Sequence, residues 1–170
     1  MLFRSIAALA LFVLSSVAYA QGKIAVVNLE QAILQTDFAQ QQLEEFAASD
    51  AFAEDKAEFD RLNADLEKLI QDFQRDQAAM SEDQQVAAQQ KLRSKQADLE
   101  YVANKLQTLQ QQNAQRVLAE LAPLAQQVLQ EVIKTEGIGL LLNAQSALYS
   151  DVGYNVTAKI TDKLNQQPSE

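Results

Sequence analysis

The stretch FDRLNADLEKLIQDF, residues 59–73, places apolar side chains at Phe59, Leu62, Leu66, Leu69 and Phe73. Alternating steps of three and four residues set all five along one seam of a helix. The seam continues to Phe52 and Met80, each seven residues beyond an end. A stripe this narrow is a coiled-coil seam rather than the broad face of a core helix. It needs a partner helix.

The partner follows directly in the chain. Leu92, Leu99, Val102, Leu106 and Leu109 form a second seam. Between the two lies MSEDQQ, residues 80–85, where Ser81 can cap the next helix and Gln84 sits at the reciprocal capping-box position. Glu82 and Asp83 fall in the first turn, where carboxylates favour the helix dipole. A turn at Met80–Ser81 folds the two seams onto each other as an antiparallel hairpin. Arms of ~40 residues then reach roughly 60 Å. Upstream, residues 38–80 contain no Gly or Pro, and the soft point is AASD at 47–50. The apolar phase of Leu43 and Phe46 does not join the seam beyond it, which predicts a bend.

Towards the C-terminus the stripe widens. Val117, Leu118, Leu121, Leu124, Val128, Leu129, Val132 and Ile133 predict entry into a broader core. Pro123 predicts a kink near 119–122, and Gly137 a helix end. The ends of the chain carry the β signals. In KIAVVNLEQAIL, residues 23–34, the run 24–27 reads as a buried strand and LEQAIL as a short helix, with Thr36 or Asp37 capping the next. In GIGLLLNAQSALYSD, residues 137–151, two strands at 139–143 and 147–150 flank a turn at 143–146. Asn155 is placed to cap a last helix at 156–164, with Val156, Ile160 and Leu164 on one face. The hairpin returns the chain to its start, so strands from both ends should meet in one sheet. Three short strands cannot bury enough apolar surface alone, and the remedy expected is oligomerisation.

The first residues, MLFRSIAALALFVLSSVAYAQ, combine one basic residue, an apolar run shorter than a membrane span, and Ala18-Tyr19-Ala20. This reads as a secretory signal peptide cut after Ala20. Loss of Arg4 would move the net charge from −9 to −10. An acidic chain disfavours nonspecific nucleic-acid binding. The chain has no cysteine and no histidine, which excludes thiol and histidine-based nucleophilic catalysis, and it has no glycine-rich phosphate loop. The carboxylate pairs Glu54/Glu58 and Asp72/Asp76 sit one helical turn apart, but such pairs on a solvated helix ordinarily bind nothing. The reading is a protein that is not an enzyme, with no catalytic, metal or cofactor-binding residue. Residues 37–83 carry fourteen acids against four bases, and residues 84–136 six bases against five acids. The basic cluster Lys91, Arg93 and Lys95 is expected to pair with the acidic helix. The 25 glutamines sit between periodic apolar residues, so they read as helix surface.

Lys23–Ile33 resembles the opening strand and short helix of the Skp (OmpH-like) periplasmic chaperones. Residues 137–164 resemble their closing β-hairpin and helix, including the Asn143-Ala144 turn and the Tyr149 strand. The resemblance implies a homotrimer whose β-rich body carries three helical arms around a cavity. It implies a holdase for unfolded outer-membrane β-barrel proteins that uses no ATP. Arms in that family are often basic and these are acidic, so no lipid contact is carried onto Lys91, Arg93 or Lys95.

The expected fold is therefore α+β and mostly helical, a long antiparallel coiled-coil helical hairpin projecting from a small β-containing trimerisation body. Residues 1–20 are the signal peptide, 21–37 and 118–165 the oligomerisation body, 38–117 the arm and 166–170 a polar tail. Ile24, Val26, Leu140, Leu142 and Leu148 are the candidate oligomerisation residues. Ile70, Val86 and Tyr101, apolar but off the seams, are the candidate client contacts. The expected partners are unfolded outer-membrane proteins and two further copies of the chain, with the membrane surface unassigned and the location periplasmic. The alternative is a coiled-coil envelope adaptor or spacer that binds one folded partner.

Overall fold

The computed structural model describes residues 22–167. The signal peptide reading of residues 1–20 and residues 168–170 of the tail lie outside them. Strand β1 (Lys23–Val27) leads into helices α1 (Leu29–Leu34), α2 (Asp37–Ala47), α3 (Asp50–Asp76) and α4 (Glu82–Glu136). Strand β2 (Ile138–Asn143), two short 3-10 turns and helix α5 (Thr157–Asn165) complete the chain.

The helix boundaries follow local chemistry. Thr36 caps α2, its hydroxyl accepting the Ala39 N–H. Ser81 and Gln84 form the full capping box of α4. The chain breaks helix at Ala48–Ser49, within the soft point of the sequence. Helix α4 runs 55 residues, through Pro123 without a break, and stops at Gly137 with φ 64°. Left-handed backbone costs other residues a Cβ clash that glycine lacks.

The hairpin is antiparallel. Lys95 pairs with Asp65 at 3.4 Å and Lys105 with Asp55 at 2.6 Å, so residue numbers rise on one helix as they fall on the other. Phe52, Leu62 and Val102 are buried at its centre. Phe59, Leu66, Leu69, Phe73, Leu92, Leu99, Leu106 and Leu109 are half-buried, while their neighbours on the outer faces are exposed. The two seams face each other.

The wider core forms where the C-terminal half of α4 meets the chain ends. Val117, Leu121, Ala125, Val128 and Val132 pack with Ala32, Ile33, Ala39, Ile160 and Leu164. Burying side chains such as Ile160, fully enclosed here, stabilises by about 1.5–3 kcal/mol each. Polar ties lock α5 onto α1 and α2. Thr161 Oγ1 donates to the Ala32 carbonyl at 2.9 Å, and the Asn165 side-chain oxygen accepts from the Asp37 N–H at 3.0 Å.

The sheet has two strands, with β1 parallel to β2. Strands from the two chain ends meet as expected, but the segment 147–150 is not a strand and there is no closing β-hairpin. The physical reason lies in the turn that follows β2, since the outer edge of β2 itself stays open among the described residues. The outer side of β1 is taken near Val26 by a bridge to Asn155 and by the Val156 N–H, which donates to the Val26 carbonyl at 3.0 Å. Residues 144–146 form a 3-10 turn that carries the following segment off the sheet. Helix α5 also begins one residue later than expected, with Asn155 Oδ1 accepting the Thr157 N–H at 2.9 Å.

Candidate functional site

The register pairs Ile24 with Leu140 and Val26 with Leu142. Side chains alternate across a strand, so these four share one face. The other face carries Ala25, Val27 and Leu141 towards the helices, where Val27 joins the core and Leu141 packs against it. The outer face has no helix over it. Ile24 is 51% exposed, Leu140 48% and Leu142 42%.

Val26 differs from its companions. It is buried within the single chain at 3% exposure. Together with Ile24, Leu142, Ala147, Tyr149 and Tyr154 it lines an apolar recess of about 300 Å³. Leu148 lies outside that lining and is fully exposed. Tyr149, Val152 and Tyr154 extend the apolar surface, and Val152 and Tyr154 escaped the sequence reading. The signal that could have found them is their position in a segment with no helical period and no strand partner. An apolar patch of this kind marks a site for another chain, a ligand or a membrane.

The candidate client contacts are not brought together. Ile70 is half-buried, Val86 is 49% exposed and Tyr101 71% exposed. By the hairpin register, Ile70 and Val86 lie near the tip and within about 6 Å of each other along the axis. Tyr101 sits further down the arm, beside a recess of about 340 Å³ lined by Glu58, Arg61, Leu62, Lys95, Asp98 and Val102.

Five basic side chains of the arm pair with acids. Arg61 bridges Glu58 and Asp65, and Arg75 bridges Asp72 and Asp76. The hydrogen bond from Arg61 holds the Glu58 carboxyl below the usual carboxylate range, and Arg75 does the same to Asp76. The hydrogen bond to Asp55 raises the Lys105 ammonium above its ordinary value. Lys95 of the basic cluster pairs with the acidic helix as expected. Lys91 and Arg93 make no ion pair among the described residues. Among those residues no helix is long and apolar enough to cross a membrane.

These features define an elongated α+β protein with a slender helical hairpin set on a small body whose sheet carries helices on one face and a part-exposed apolar surface on the other. The chain belongs to the family described as outer membrane protein (OmpH-like), whose model matches residues 23–164. A Skp-like protein of Pseudomonas aeruginosa is 24% identical to it, over 88% of each chain. The chaperone protein Skp of Photorhabdus luminescens is 28% identical, over 88% of this chain and 90% of that one. Its counterpart in Photorhabdus laumondii is 26% identical, over 86% and 88%. A crystal structure of an OmpH-like protein from Caulobacter crescentus CB15 overlaps 84% of this chain and 83% of its own, with 11% identity and a TM-score of 0.48.

Proposed function

We propose that the protein is a holdase chaperone for unfolded outer-membrane β-barrel proteins, working in the periplasm after removal of residues 1–20 and without ATP or any cofactor. Three copies join through the body, residues 21–37 and 118–165. The arms, residues 38–117, then surround a cavity. The relatives named chaperone protein Skp match along nearly the whole chain, which supports this reading.

The observation that carries it is the contrast between the two halves of the molecule. The arm satisfies its own seams, whereas the body leaves Ile24, Leu140, Leu142, Leu148, Tyr149 and Val152 in water. A sheet of two strands is marginal in isolation. Joining copies through that face covers it and sets several arms side by side. An unfolded β-barrel chain exposes alternating apolar residues and unpaired strand edges, which aggregate. Weak contacts spread along the arms, at Ile70, Val86 and Tyr101, isolate such a chain without imposing a bound structure. The role needs no catalytic group.

The test is light scattering of a denatured β-barrel membrane protein diluted into buffer with the purified protein. Suppression of aggregation near stoichiometry, without nucleotide or metal, is the expected result. No suppression at several-fold excess overturns the reading and leaves an adaptor for one folded partner.

A further inference from the structure

Much of the hairpin surface is solvated helix, but at one level the two legs leave a hollow that reaches down to the seams. The interhelical pairs Asp65/Lys95 and Asp55/Lys105 each have residue numbers that sum to 160. On that count Leu62 lies opposite Asp98, and Glu58 opposite Val102. These four, with Arg61, Lys95 and Tyr101, line the recess of about 340 Å³. Its floor is apolar, because Leu62 and Val102 are buried side chains of the two seams. Tyr101 stands exposed beside it, three residues along α4 from the exposed Asp98.

Most of the charged rim is already engaged. Arg61 donates to both Glu58 oxygens, at 2.9 and 2.6 Å, and Lys95 reaches across the hairpin to Asp65. Asp98 makes no ion pair among the described residues. Two groups are therefore left to a visitor: a carboxylate that accepts hydrogen bonds, and the face of the Tyr101 ring. The lining holds two acids, Glu58 and Asp98, and two bases, Arg61 and Lys95, so its formal charge cancels. A hollow with no net charge favours neither a cation nor an anion. It suits a neutral group with an apolar body and one polar hydrogen at the tip. Ligand cavities span roughly 300–1,000 Å³, so this one has room for a single side chain.

We propose that the recess takes one tyrosine or tryptophan side chain of an unfolded client. The ring lies over Leu62 and Val102 and against Tyr101, and its O–H or N–H donates to Asp98. Membrane proteins carry belts of these two residues at the membrane–water boundaries, and membrane β-barrels have aromatic girdles at both. Each has a polar tip that needs an acceptor once the ring leaves water. A client not yet inserted offers many such rings, and repeated single-ring contacts hold it without fixing its backbone. The nature of the client rests on the chaperone reading, whereas the ring site is tested separately from it.

The chain has no tryptophan, so the emission of an indole probe is read without background. N-acetyl-tryptophanamide, N-acetyl-tyrosinamide, N-acetyl-phenylalaninamide and N-acetyl-argininamide are each titrated into the purified protein, with backbone amide shifts locating the contact. The expected result is shifts centred on residues 58–62 and 98–102 with the first two probes. The phenylalanine probe, which has no ring hydrogen to donate to Asp98, should bind several-fold more weakly. Tyr101→Ala should weaken the indole probe about three- to tenfold, and Tyr101→Phe should retain it. Asp98→Ala should erase the preference over the phenylalanine probe. Both positions are exposed, so the fold should survive, and unchanged helical circular dichroism checks that. Shifts centred elsewhere, no shifts at the probes' solubility limit, indifference to Tyr101→Ala, or equal binding of the arginine probe overturns the site. Aggregation suppressed without probe binding removes the ring site and leaves the holdase. Probe binding without suppression does the reverse.

Discussion

Lys105 donates a 2.6 Å hydrogen bond to Asp55, a residue fifty positions earlier in the chain. With Lys95–Asp65 it pins one register of the hairpin, in which an otherwise apolar heptad seam could slide by a full repeat. Both members of the Lys105–Asp55 pair are partly solvated, so its value lies more in register than in stability.

Charge reversal tests that pin. Lys105→Glu sets two acids against each other and should lower the Tm by about 2 °C in low salt. Adding Asp55→Lys should restore most of the loss, because the swapped pair recreates the attraction. An additive loss in the double variant would mean that the two side chains do not meet.

Acid sensitivity should centre on Glu136, which ends α4. Its carboxylate accepts from Lys159 at 2.6 Å and from Lys23 at 3.3 Å, joining α4 to α5 and to β1. Hydrogen bonds from Lys159 and then Lys23 hold the carboxyl below its ordinary value of 4.5. A depressed folded pKa means that the unfolded chain takes up the proton first as the pH falls. The contribution is therefore fully present above the ordinary carboxylate value and is lost as pH drops through the folded one. Glu136→Gln should lower the Tm at neutral pH, and the gap to the parent should close as the pH falls from the ordinary carboxylate value through the lowered one. A gap that stays constant across that range would show that the ion pairs contribute nothing.

The thin arm should break separately from the body. Leu62 is 3% exposed in the seam. Leu62→Ala should cost about 2–3 kcal/mol, concentrated in local opening of the hairpin, because few other side chains there are buried. Ile160, fully enclosed in the body, should cost at least as much when cut to alanine and should unfold the body as well. Hydrogen exchange distinguishes the two. Leu62→Ala should speed exchange in α3 and the first half of α4 while α1 and α5 stay protected.

The arm was legible because its signals are local. A heptad seam, a capping box at Ser81 and a glycine after Glu136 each act within a few residues of themselves, and the structure carries all three. Thr36 and the break at Ala48–Ser49 were readable for the same reason. The pairing of residues 24–27 with 139–143 was legible from a topological argument, since a hairpin brings the chain ends together. The segment 147–150 was misread because a strand is defined by its neighbour. Ala147, Leu148 and Tyr149 have strand-like composition, yet the 3-10 turn at Ala144–Ser146 carries them away from the open edge of β2. The burial of Val26 was hidden for a related reason, since it depends on Tyr149 and Tyr154 closing over a recess. No local pattern announces that.

The same contrast between Val26 and its neighbours yields the sharpest test of assembly. Leu140 and Leu142 face outward on β2, about half-exposed in the single chain. An aspartate at either site keeps its water in a lone protomer and should leave the fold intact, with unchanged helical circular dichroism. Between copies it becomes a buried unpaired charge, which costs several kcal/mol. Leu140→Asp or Leu142→Asp should therefore give a folded monomer by sedimentation at concentrations where the parent is expected to form the proposed trimer. Val26→Asp behaves differently. Its site is closed within the protomer, so the charge should lower the Tm steeply whether or not copies associate. Parent-like assembly in both leucine variants would show that the copies meet elsewhere. Equal loss of Tm in all three would show that the sheet face belongs to the protomer core rather than to an interface.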